Sequence, residues 1–198
     1  MHISEGVLSA PVLVGGAVAS LGFLVYGFKK MKGEMLTKTA LMSSLFFVGS
    51  FIHVPIGPSS VHLLLNGLVG AALGFAAFPA IFIALLLQGL LFQFGGLTTL
   101  GVNTFDAAFP ALFAYLLFSY GVKQNLTLRN IFFFLTGLVP VAMSTLLVAL
   151  MLFFSGEKLF QAAQAIFIAH IPVMIVEGIA TVFILNFIIK VYPSFFAK

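Results

Sequence analysis

Seven apolar stretches, at about 7–28, 35–53, 61–78, 80–94, 105–120, 130–154 and 161–190, leave this 198-residue chain almost no polar length from which to build a water-soluble domain. Apolar residues make up 62% of the chain and charged residues 7%. Soluble domains carry roughly 25% charged residues, so the solvent this chain is built for is lipid. With about 20 apolar residues needed per spanning helix, the length is used up by the spans. The expected fold is therefore all-α, a bundle of seven transmembrane helices forming one domain over 1–198.

Charge placement supports that count. Lys29, Lys30, Lys32, Lys38, Lys123, Arg129, Lys190 and Lys198 fall between or after the spans on one side, and only Lys158 falls on the other. A six-span reading would scramble this sorting. The positive-inside rule then places the N-terminus outside and the C-terminus in the cytoplasm of a multi-pass cell (inner) membrane protein. The basic excess is a matter of topology, and no nucleic-acid surface is read from it. Ala17-Val18-Ala19 matches a small-x-small cleavage pattern, but residues 1–6 hold Glu5 and no Lys or Arg, where a signal peptide needs a basic start. The expectation is a retained start at Met1.

That start is chemically distinctive. The Met1 amine, the His2 backbone nitrogen and His2 Nδ1 can close a five-membered and a six-membered chelate ring on one ion, three nitrogens in a plane of the kind Ni(II) favours. The chain has no Cys, so any metal must be held by nitrogen and oxygen. His62, in Ser59-Ser60-Val61-His62 on the same outer side, is the candidate for the fourth ligand; taken alone it is as well read as an interfacial imidazole bonded to a carbonyl. Gly67, Gly70, Ala71 and Gly74 follow it, and an inserted tail could use the space they leave.

Other polar residues have structural and functional readings side by side. His53 is a substitute ligand, a support for the ligands or a solvated helix-end histidine. Residues 95–104, with Thr98, Thr99 and Asn103, interrupt two apolar segments; non-helical backbone at membrane depth must line a cavity or be buried in protein, and these groups suit hydrogen bonds that support ligating imidazoles. His170, close to Pro172, is suited to the carbonyl that the proline frees. Glu177 is a proton carrier, an ion relay or, the preferred reading, a buried carboxyl bonded to neighbouring helices, and Asp106 and Glu5 lie near the outer surface, where a carboxylate is solvated or attracts cations. No G-x-x-x-x-G-K-[ST], HExxH or GxSxG occurs. A chain that captures metal without an ATPase of its own calls for a partner.

Met1-His-Ile-Ser-Glu-Gly-Val-Leu-Ser9, Val61-His62-Leu63-Leu64 with its glycines, Gln88 through Asn103 (QGLLFQFGGLTTLGVN) and His170-Ile-Pro with Val176-Glu177-Gly178 together resemble the CbiM/NikM family over almost the whole chain. Its members are the substrate-binding membrane (S) components of energy-coupling-factor cobalt and nickel importers. The resemblance implies Met1, His2 and His62 as metal-binding residues, an inserted N-terminal tail, and Ni2+ or Co2+ as transported substrate with no organic cofactor. It also implies a transmembrane coupling (T) subunit, two cytoplasmic ABC ATPase subunits and often a small accessory membrane subunit. On this reading the chain is a transport component and not an enzyme. A membrane-embedded metal-dependent enzyme and a stand-alone metal-ion transporter are the alternatives. Ser4-Glu5 stands where many members have Pro-Asp, and Gln93-Phe94 where they have Gly-His.

Overall fold

The computed structural model describes the backbone of residues 3–56, 59–156 and 160–196, and the side chains within these outside 53–61 and 160. Seven α-helices follow one another among the described residues: α1 (Ala10–Lys30), α2 (Glu34–Gly49), α3 (Asn66–Leu73), α4 (Ala77–Phe92), α5 (Leu100–Gly121), α6 (Leu126–Ser155) and α7 (Phe160–Val191). Between α2 and α3 lies an antiparallel ribbon of β1 (His53–Ile56) and β2 (Ser59–His62). The all-α class holds, with this short ribbon joining α2 to α3 near Pro55, which cannot continue a helix.

Seven spanning helices are corrected. Six helices have 16 residues or more, but α3 has eight and a length of only about 12 Å. By length and composition alone, residues Asn66–Phe92 form one 27-residue apolar stretch long enough to cross a membrane. The packing shows that it doubles back. Along α3, Asn66 lies at Ala107 and Gly70 at Ala111, so α3 runs in the sense of α5. Along α4, Ala80 accepts from Ser43 and Gln88 reaches Phe47 and Ser50, so α4 runs in the sense of α2, back toward the end from which α3 set out. The reversal sits at Gly74, with φ +55° and ψ −122°, followed by a 3-10 turn over Gly74–Ala76. Only glycine adopts such a backbone without a steric penalty.

Helix α3 is the centre of the molecule. Seven of its eight residues, all but Ala72, are buried, because Gly67 lies against the Thr136 backbone of α6 and Gly70 against the Ala111 backbone of α5. A methyl group at either position would overlap a carbonyl oxygen. Around this centre Phe46, Phe78 and Ile81 anchor one apolar cluster, and Ile3, Leu64 and Val102 another. Lys29 and Lys30 close α1 and Lys190 closes α7, where cations suit a helix C-terminus. Phe196 packs on Phe118 late in α5, and Lys38 sits over Phe195, so these described basic residues gather at the end of the bundle away from Ile3.

Candidate metal centre

The first described residues return into the bundle. Ile3 is 4% exposed, and Asn103 in the first turn of α5 grips its backbone twice: the Ile3 N–H donates to Asn103 Oδ1 (3.0 Å), and Asn103 Nδ2 donates to the Ile3 carbonyl (3.1 Å). Asn103 Nδ2 also donates to Thr99 Oγ1 (3.2 Å), whose hydroxyl donates to the Gly96 carbonyl (3.3 Å). Two residues on, the Glu5 N–H donates to the Gly95 carbonyl (3.2 Å), and Glu5 Oε1 accepts from the Thr98 N–H (3.1 Å). After a turn at Gly6 (φ +77°), Leu8 is buried and the Ser9 N–H donates to Ser155 Oγ at the end of α6. An extended segment needs its backbone groups paired, and residues 95–103 pair them.

Among the described residues Thr98 thus bonds Glu5 of the tail, Asn103 bonds the Ile3 backbone, and Thr99 supports Asn103. Met1 and His2, the two residues joined to Ile3, lie outside the described residues.

His62, at the end of β2, is 4% exposed. Its Nδ1 lies 2.9 Å from the Leu63 carbonyl oxygen. A carbonyl only accepts, so Nδ1 carries the proton at this contact. The ribbon pairs His53 with His62 across its strands; the His53 side chain lies outside the described set.

What fixes His62 is a residue 115 positions away. Leu64 N–H and Leu65 N–H both donate to the Glu177 carboxyl of α7, the latter to Oε1 at 2.9 Å and Oε2 at 3.1 Å. Glu177 thus caps the start of α3 from another helix, placing an acceptor where N–H groups lack helical partners. It also holds Leu65 at φ +53°, a left-handed conformation that costs a non-glycine residue about 1–2 kcal/mol. The expected buried, hydrogen-bonded carboxyl is found, with a task its sequence context did not show. Leu64 shares one apolar cluster with Ile3 and Val102, so the tail and the His62 segment converge.

Two other expectations change. His170 Nδ1 bonds the Ile166 carbonyl of its own preceding turn (2.7 Å), not the carbonyl that Pro172 frees. Asp106 is no surface carboxylate: it is fully buried within α5. Glu5 is exposed and tied to Thr98. Among the described residues no three His, Asp or Glu side chains converge as a metal site. His62 occupies a buried position, two residues before Leu64, which shares an apolar cluster with Ile3 of the tail.

A polytopic helical membrane protein whose first residues are folded into its own bundle is the class that these features define. The chain matches, over residues 2–195, the family described as the cobalt uptake substrate-specific transmembrane region, CbiM. A protein of Haemophilus influenzae is 39% identical over 98% of this chain and 96% of its own length. The cobalt transport protein CbiM of Carboxydothermus hydrogenoformans is 34% identical over 95% of this chain and 83% of its own. The crystal structure of a transition metal transporter superposes with a TM-score of 0.84 at 27% identity, covering 96% of this chain and 93% of that one. The chain belongs to the CbiM family, a family of membrane transport proteins and not of enzymes.

Proposed function

We propose that this chain is the substrate-binding component of an ATP-driven energy-coupling-factor importer and captures Ni2+ or Co2+ on the outer face of the cell membrane. With Met1 as the mature first residue, the Met1 amine, the His2 amide nitrogen and His2 Nδ1 supply three donors, and His62 Nε2 the fourth. One observation carries the reading: Asn103 clamps both backbone groups of Ile3 inside the bundle, in the same apolar cluster as Leu64, two residues from His62. Ile3 is thereby held within the bundle, two residues along the chain from the proposed amine donor.

Four nitrogens in a plane favour nickel over cobalt. A transmembrane coupling subunit and two cytoplasmic ATPases, with a small accessory membrane subunit, supply the energy that this chain lacks a motif to use. The gathering of Lys and Arg at the end away from the tail supports an N-terminus outside and a C-terminus inside. The test is titration of the purified chain, its start verified by mass spectrometry, with nickel and cobalt. Tight binding at one equivalent is expected, lost in His2→Ala, in His62→Ala and on adding one residue before Met1; near-normal nickel affinity in the extended form would overturn the chelate.

A further inference from the structure

The tail is held at a second point, and that point is open to water. Asn103 grips Ile3 inside the bundle, whereas Glu5 and Thr98 are both exposed where they meet. The Glu5 N–H donates to the Gly95 carbonyl (3.2 Å) and Glu5 Oε1 accepts from the Thr98 N–H (3.1 Å), so one residue is fastened by its backbone and its side chain at once. A carboxylate that accepts from an N–H makes the stronger kind of hydrogen bond.

The loop is shaped to receive it. Gly95 (φ +78°) and Gly96 (φ +145°) adopt backbone that favours glycine, and the Glu5 side chain lies where a side chain at Gly96 would stand. A Cβ there would overlap Glu5 Cγ and come within 2.6 Å of Oε1. Both ends of the loop are anchored: the Gln93 and Phe94 N–H groups donate to the Gly89 and Gln88 carbonyls of α4, and the Thr99 hydroxyl donates to the Gly96 carbonyl. The loop is a fixed seat.

The tail is the part that can swing. Gly6 is exposed, has φ +77°, and among the described residues nothing beyond its chain neighbours comes within 4 Å of where its Cβ would lie. Leu8, by contrast, is buried, and the Ser9 N–H is bonded to Ser155 Oγ. Rotation at Gly6 therefore moves Ile3 and Glu5 together and leaves α1 in place. Two fastenings oppose it, the buried grip on Ile3 and the exposed seat of Glu5, and exposed hydrogen bonds are the ones that open most readily.

We infer that Glu5 is a positioning residue for metal retention: seated on Gly96, it holds the tail shut about the Gly6 hinge and sets the rate at which a captured ion escapes to the outside. This rests on the capture reading above, in which donors precede Ile3 and the ion is freed when the tail opens. A contact made only in the closed state slows opening more than closing, so its loss falls on release and spares association.

The full-length chain in detergent, its Met1 start verified, is loaded with one equivalent of nickel and mixed with excess chelator. Glu5→Ala releases the ion about tenfold faster than wild type, with an association rate within about twofold. Glu5→Gln, which keeps Oε1 for the Thr98 N–H, stays within about threefold of wild type in release. Gly96→Ala also releases faster but adds little in a Glu5→Ala background, because the side chain it displaces is already gone; a general loosening of the bundle produces neither this non-additivity nor the rescue by Gln. The chain has no Cys, so a spin label on Ser4→Cys reports the tail with no metal present, and it is more mobile when Glu5→Ala is added. Release at the wild-type rate in Glu5→Ala, a loss confined to association, or a label that does not respond overturns the role of Glu5 while nickel uptake by wild type stands. Wild type that takes up no nickel overturns the capture reading and the retention role with it, even where the label shows that Glu5 holds the tail.

Discussion

Replacing Asn103 with Ala removes both hydrogen bonds to Ile3 and leaves the apolar bundle contacts of α5 in place. Two outcomes compete. If the tail stays docked, a buried N–H and a buried carbonyl lose their partners, at about 1–3 kcal/mol each. If it leaves, burial of Ile3 and Leu8 is lost, about 1.5–3 kcal/mol each, offset by the backbone freedom regained, about 1–2 kcal/mol per residue over residues 3–8. Without the clamp the freedom regained, about 6–12 kcal/mol in all, matches or exceeds the roughly 3–6 kcal/mol of burial, so docking of the tail depends on the clamp. The clamp then shifts the docking equilibrium by about 2–6 kcal/mol, and at about 1.4 kcal/mol per tenfold the variant should bind nickel at least about 30-fold more weakly. Isothermal titration of chains with verified native starts measures this. Thermal unfolding in the same detergent should change little, because the helices lose no packing. Asn103→Asp, which keeps the acceptor for the Ile3 N–H and loses the donor, should fall between. An Asn103→Ala affinity within about threefold of wild type refutes the idea that the tail is held for metal capture.

Glu177→Ala should destabilise the bundle by about 2–4 kcal/mol, since Leu64 and Leu65 N–H groups lose their acceptor in a buried place, with Glu177→Gln milder; chemical unfolding in detergent reads both, and equal stability of Ala variant and wild type counts against the cap. Gly70→Ala should cost about 1–3 kcal/mol or more by forcing α3 away from the Ala111 backbone, and should weaken metal binding too because the His62 segment shifts with α3; an unchanged unfolding midpoint would show that the helices can part freely. Nickel affinity should fall as pH is lowered, because the His2 and His62 imidazoles, the amine and the His2 amide must all be deprotonated to bind. Proton release, measured by titration in buffers of different ionisation enthalpy, should accompany uptake, and its absence would remove the amide nitrogen from the ligand set.

Much of this was legible from one dimension. The membrane class and the helical character of the chain follow from residue type and spacing. What escaped did so for physical reasons. Hydropathy registers apolarity and not direction, so the reversal at Gly74 looked like the join between two full spans, while the charge sorting survived because a half-length α3 and its return leave later helices facing the expected way. Asp106 stood three residues from a polar loop and read as solvated; burial depends on which helices close over it. Glu177 was recognisable as a costly buried carboxyl, but its partners Leu64 and Leu65 lie more than 110 residues away and are backbone N–H groups, which carry no signature in residue identity.

By itself the order of residues determined the solvent this chain must live in and the apolar lengths that solvent demands, because transfer free energies belong to individual residues. Tertiary structure alone decided that Asn103 takes hold of Ile3, that α3 ends halfway and turns, that Glu177 holds the backbone of Leu64 and Leu65 just past His62, and that Asp106 and His170 are buried. Those are facts of proximity between distant parts of the chain, set by how small residues let backbones approach and by the need of every buried polar group for a partner.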